Sequence, residues 1–116
     1  MKYLVNAFSL NMFQTLDNIT VTLHIKRISV EEFCREVKGE IVNAIGHAST
    51  VAVTNTMCNT DLIPNRIEIK LENGDELLIF QLKKRLEEGR ILTADEVKKM
   101  FQSDQVELLK VKVLVQ

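Results

Sequence analysis

The sequence predicts a single α/β domain with a mixed central β-sheet of about five strands and flanking α-helices. Segments with the two-residue period of half-buried strands interleave with segments carrying helix start signals and a helical apolar period. The 116 residues are the size of one domain. No repeat, low-complexity tract or Gly/Pro linker divides them, and the single proline, Pro64, sits at no shift in composition.

"KYLV", residues 2–5, reads as a short opening strand. "ITVTLHIK" places Ile19, Val21, Leu23 and Ile25 on one side and Thr20, Thr22, His24 and Lys26 on the other, which predicts a strand with one buried face. In "ISVEEFCREVKG", Ser29 and Glu32 form a capping box, Ile28 can staple to Phe33, and Val30, Phe33, Cys34 and Val37 share a helical face that Gly39 ends. A short apolar run then leads into "NAIGHAST", residues 43–50. The next segment, residues 49–58, is open: its β-branched residues favour a strand, whereas Ser49 and Thr50 after Gly46 suit a helix start, and periodicity does not decide. "RIEIKLENGDELLIFQL" alternates Ile67, Ile69 and Leu71, turns at Asn73–Gly74 and resumes, which predicts a β-hairpin. "LTADEVKKMF" repeats the capping grammar with Thr93 and Glu96 and aligns Val97, Met100 and Phe101, predicting a second amphipathic helix. "VELLKVKVLV" predicts the last strand.

Apolar residues at 46% and charged residues at 27% describe a globular chain and exclude a disordered or fibrous one. A net charge of −1 supplies no general attraction to nucleic acid, so stable DNA binding is not expected. No apolar run approaches the roughly 20 residues that span a bilayer, and no signal-peptide succession opens the chain. A cytosolic protein without membrane contact is expected. Cys34 and Cys58 share no close spacing and have no histidine at zinc-ligand intervals, so they read as buried small hydrophobes and not as a disulfide or metal site. At this size, a large ligand pocket is best built between two copies.

Three stretches carry candidate chemistry, and the strand histidine is not among them. His24 lies on the polar face of a strand and reads as solvated. His47 differs, because it follows a strand end and Gly46 permits close backbone approach. An imidazole, with an unperturbed pKa of about 6.5, can serve as general acid or base near neutral pH. If residues 49–58 are helical, Ser49 and Thr50 sit at an N-terminus whose free amides and dipole favour a phosphate; the plainer alternative is an ordinary N-cap. "QLKKRLEEGR" gathers Lys83, Lys84, Arg85 and Arg90 around Glu87 and Glu88, cations for phosphate beside a carboxylate, or simply a solvated charged turn. "NAFSLNM" offers Asn6, Ser9 and Asn11, suited to base edges and ribose hydroxyls and equally to turn-making. No Walker loop, dinucleotide glycine fingerprint, Ser-His-Asp succession or paired metal-binding histidines appears.

"NAFSLNM", "NAIGHAST", "NRIEIK" and "RLEEGRIL", in that order over nearly the whole chain, strongly resemble the viral ring nucleases, the type III anti-CRISPR proteins of crenarchaeal viruses. The resemblance implies one domain over residues 1–116 that forms a homodimer in the host-cell cytoplasm. Its expected activity is metal-independent cleavage of the second messenger cyclic tetra-adenylate to linear di-adenylates, with no cofactor, which switches off type III CRISPR defence. His47 is implied as the catalytic residue and Glu88 as its assistant. Asn6, Ser9, Asn11, Ser49, Thr50, Arg66 and Arg85 are implied as ligand-binding residues, and residues 49–58 as a helix. One departure stands out: Ala48 occupies a position where members of the family often have aspartate. The alternatives are a small viral DNA- or RNA-binding regulator using the basic residues near Arg85, and a non-catalytic sponge for the cyclic nucleotide.

Overall fold

A computed structural model describes residues 1–83, 93–102 and 105–116. Among these residues five strands form one sheet: β1 (Lys2–Val5), β2 (Val21–Arg27), β3 (Val42–Asn43), β4 (Glu76–Leu82) and β5 (Val106–Val115). Among the described residues three helices accompany them, α1 (Val30–Val37), α2 (Ala48–Cys58) and α3 (Ala94–Gln102), and Leu10–Met12 form a 3-10 turn. The spatial order is β2-β5-β4-β1-β3. β1 runs parallel to both β3 and β4, while β5 is antiparallel to both β4 and β2. The predicted mixed five-stranded sheet with flanking helices is the architecture observed.

The apolar run of β4 explains the layering. A strand buried on both faces needs apolar residues at every position, and Leu77, Leu78, Ile79 and Phe80 are all buried. Leu78 and Phe80 join Leu4 and Leu108 in a core with Phe33 of α1, Val51 of α2 and Val97 of α3. Leu77 and Ile79 face the other way, with Val5, Val111 and Val113, against Phe13, Ile69 and Leu71. One face of the sheet is therefore covered by helices and the other by irregular chain.

Local signals place the helices. Ser29 Oγ accepts from Glu32 N at 3.1 Å, and Ile28 and Phe33 are buried in the same core. At α3 the capping box is reciprocal, with Glu96 N donating to Thr93 Oγ1 and Thr93 N to Glu96 Oε1, each at 3.2 Å.

Three expectations are corrected. The first arm of the predicted hairpin is not a strand: residues 67–71 lie outside the ladder. Both hydrogen-bonding edges of β4 are already occupied, by β1 and by β5. Ile69 and Leu71 alternate because they pack onto the sheet face and not because they pair along it. The turn survives: Gly74 adopts φ +89°, and Asn73 Oδ1 accepts from Val115 N at 2.9 Å. Secondly, Ile25 is 62% exposed, because β2 is an edge strand and the irregular cover does not extend over its distal half. Thirdly, Cys34 and Cys58 form a disulfide with Cα atoms 5.0 Å apart, joining α1 to the last residue of α2. Their spacing along the chain carries no information about this contact, which the packing of two helices creates.

A charged cluster ties α1 to the sheet. Glu36 accepts from Lys2 and, at 3.0 Å, from Lys110, so one carboxylate bridges β1 and β5. The hydrogen bonds from Lys2 and then Lys110 hold the Glu36 carboxyl below its ordinary value of 4.5. A depressed folded pKa contributes stability that is present above the unfolded value and is lost as pH falls through the folded one. Glu36→Gln should therefore destabilise the protein by about 1–2 kcal/mol at neutral pH. In urea titrations the gap should close on acidification below the carboxylate range; a gap unchanged by pH would show that the charge contributes nothing.

Candidate functional site

The parallel strands bring the candidate stretches to one end of the sheet. Leu4 is in register with Asn43, and Val5 with Ile79. "NAFSLNM" and "NAIGHAST" thus leave adjacent parallel strands side by side, and Lys83 follows the end of the third. Open α/β sheets bind ligands outside the carboxyl ends of their strands, where the connections diverge.

The fourth stretch reaches this end through two asparagines. Asn65 N donates to Ile45 O at 2.9 Å, and Asn65 Nδ2 to Asn43 O at 2.8 Å. Asn43 returns a bond from Nδ2 to Ile63 O at 2.8 Å, while its Oδ1 accepts from Ile45 N at 3.0 Å. This lattice lays Arg66 over Gly46. A methyl group at Gly46 would stand 2.9 Å from Arg66 Cβ, 3.1 Å from its Nε and 3.2 Å from its Cα. Because the Arg66 backbone is part of that contact, Gly46→Ala should displace Arg66 and destabilise by roughly 1–3 kcal/mol. Denaturant unfolding and a ligand-binding titration check the two effects together.

His47 is half-buried and serves as N-cap of α2 without a side-chain capping bond. The helical alternative for residues 49–58 is the one observed, with the helix starting at Ala48, one residue ahead of the Ser-Thr pair. Val51 N donates to His47 O at 3.1 Å, closing the first turn of the helix on its N-cap. Ser49 and Thr50 are buried, and Thr50 Oγ1 lies 3.5 Å from His47 Nδ1. Downstream, Asn55 holds the chain leaving α2: its Nδ2 donates to Leu62 O, and its Oδ1 accepts from Leu62 N and Thr60 Oγ1.

Asn6 and Asn11 are exposed and line a cleft of about 190 Å3 together with Met12, Ala44, Ile67 and Glu68. Ser9 caps the 3-10 turn, its Oγ accepting from Asn11 N at 3.2 Å. Lys70 pairs with Glu68 at 2.9 Å, and Leu71 N donates to Met12 O at 2.7 Å, which joins the two walls. Arg85 and Glu88, with Lys84, Glu87 and Arg90, lie outside the described residues. Reasoning from sequence assigned no role to Asn43, Asn55 or Asn65, nor to Glu68. The signal for Asn43 and Asn65 was their place inside two of the quoted stretches. Among the described residues, no group of three or more His, Cys, Asp or Glu side chains is arranged to hold a metal ion, and no helix is long and apolar enough to cross a membrane.

Fold and site define a small α/β protein whose polar loops gather at the carboxyl ends of parallel strands. The chain belongs to the STIV B116-like family, whose pattern matches residues 2–108. It is similar to B116 of Sulfolobus turreted icosahedral virus, with a TM-score of 0.83 and 38% identity, covering 95% of this chain and 97% of that one. It is 36% identical over 107 residues to the uncharacterized protein ORF116 of Acidianus filamentous virus 1, covering 91% of this chain and 90% of the relative. It is 30% identical over 102 residues to the uncharacterized protein 26 of Sulfolobus islandicus filamentous virus, covering 86% and 84% of the two chains. Viral proteins are thus its relatives.

Proposed function

We propose that this protein is a metal-independent ring nuclease that cleaves cyclic tetra-adenylate to linear di-adenylates, and that it acts as a homodimer to silence type III CRISPR signalling in the infected cell's cytoplasm. The observation that carries the reading is the placement of His47 at the N-terminus of α2, with Arg66 laid against Gly46 beside it.

The chemistry follows from the substrate. RNA supplies its own nucleophile, a ribose 2′-hydroxyl next to each scissile phosphate. The 2′-oxygen forms a bond to phosphorus while the bond from phosphorus to the 5′-oxygen breaks. His47 gives its proton to the leaving 5′-oxygen, and the 2′-hydroxyl proton passes to a carboxylate or to water. The dipole at the start of α2 suits the charged phosphorane, and Arg66 and Arg85 add guanidinium donors. Glu88 orients His47 or receives the hydroxyl proton. A twofold pair of subunits presents two imidazoles to opposite phosphates of a fourfold ring, which accounts for two cuts and two equal products.

Incubation with cyclic tetra-adenylate in the presence of a chelator, followed by chromatographic separation, tests the proposal. Linear di-adenylates are expected. Tight binding with the ring left intact would instead describe a sponge, and absence of binding would overturn the reading.

A further inference from the structure

We propose that the outer edge of β2 is a self-association surface, on which β2 of a second copy pairs antiparallel about a twofold axis at His24. The inference is independent of the function proposed above, because it joins copies at the sheet edge opposite the candidate site.

The main chain sets out the pairing groups. Thr20 and Gln116 exchange both backbone bonds, and Ile28 N donates to Leu108 O at 3.0 Å. The register of β2 on β5 runs unbroken between these points, so the even-numbered residues bond to β5 in a regular antiparallel ladder. The N–H and C=O groups of Val21, Leu23, Ile25 and Arg27 therefore point away from the sheet. Among the described residues no backbone bond from another segment reaches them. β2 also contains no proline and no bulge, two of the devices that blunt an exposed edge.

The strand fits its own copy in one register. β2 runs from Val21 to Arg27, so His24 is its midpoint. Pairing about that midpoint sets Leu23 opposite Ile25 of the second copy and Val21 opposite Arg27, and every outward amide and carbonyl gains a partner. Ile25, 62% exposed, gains an apolar neighbour on its own face. The charges agree as well. Lys26 stands opposite Thr22, and Arg27 is already paired with Glu107 in its own subunit. Lys26 and Lys112 each stay roughly 14 Å from their own copies, beyond the screening length of about 8 Å at physiological salt. Moving the axis to Ile25 sets His24 against Lys26 and leaves Val21 without a strand partner; moving it to Leu23 leaves Arg27 without one. Only the axis at His24 uses the whole edge.

β5, β4 and β1 lie between β2 and β3. The contact is therefore separate from a pairing that brings two copies of His47 together. A subunit that makes both contacts has two neighbours, so dimers are joined into tetramers or longer strings.

Cross-linking under mild oxidation tests the register. Both native cysteines are already bonded to each other, so an introduced thiol is free to report. His24→Cys is expected to give a disulfide-linked pair, because opposed positions of this kind have Cα atoms about 4.5 Å apart. Lys26→Cys is expected to give none. Sedimentation reads the assembly itself. Thr22→Lys sets like charges opposite each other at two symmetric places and should weaken the larger assembly by roughly threefold to thirtyfold. Adding Lys26→Glu should restore it. Positions 22 and 26 lie about 14 Å apart along one strand, so recovery reports the contact between copies. Absence of the cross-link at position 24, equal cross-linking at both positions, or identical sedimentation of wild type and Thr22→Lys overturns the proposal, and none of these outcomes bears on cleavage of the cyclic nucleotide.

Discussion

Replacing His47 with alanine is expected to lower the cleavage rate of cyclic tetra-adenylate by about 10²- to 10⁴-fold, the usual worth of a positioned general acid, with ligand affinity nearly unchanged. The asymmetry follows from the site's construction. His47 makes no side-chain capping bond to α2, and its one described side-chain approach, to Thr50 Oγ1, is 3.5 Å long. Removing the imidazole therefore leaves the helix start and the Arg66 platform in place. Phosphate recognition by amides and guanidinium groups does not need the histidine, whereas protonation of a departing 5′-oxygen does. Single-turnover cleavage and equilibrium binding on the same preparations separate the two effects. Lost affinity with retained cleavage per bound ring would reassign His47 to binding. Arg66→Ala makes the complementary case, with affinity expected to fall while bound substrate is still cut.

The parts of this molecule that were legible in its sequence are those written locally. Ser29 and Thr93 announce their helices because a capping hydroxyl bonds to an amide three residues away, and such pairs need no tertiary context. Val106–Val115 declares itself by alternation. The same alternation misled at Ile69 and Leu71, since a period of two reports which residues are buried, not whether the backbone pairs with a neighbour. β4 had no edge left to offer. His47, Asn6 and Asn11 were visible as polar residues placed just after strand ends, where parallel topology collects them. What brings Arg66 to Gly46 was not visible. Asn43 and Asn65 act across some twenty residues of chain through side-chain to main-chain bonds, and an asparagine read alone is as well explained by a turn. The disulfide belongs with them, as a contact that exists only after α1 and α2 have met.

That disulfide predicts the largest effect on stability. Cys34 and Cys58 close a loop with a sequence separation of 24, and the chain-entropy account assigns such a loop about 3.5 kcal/mol. For a domain of this length the loss corresponds to a fall in Tm of roughly 10–15 °C. Reduction of the wild type and the double variant Cys34→Ala, Cys58→Ala should each show it in thermal scans. The variant should fall somewhat further, because Cys58 is buried and its truncation also leaves a void. Mid-range denaturant should widen the difference between oxidised and reduced protein without changing the folded circular dichroism spectrum, as the hydrophobic cores on both faces of the sheet remain. The bond anchors α2 at its last residue, while His47 caps the other end of the same helix. Cleavage by reduced protein should accordingly decline at a lower temperature than cleavage by oxidised protein, in step with unfolding. Matching Tm values for oxidised and reduced protein would show that packing of α1 on α2 suffices without the covalent link.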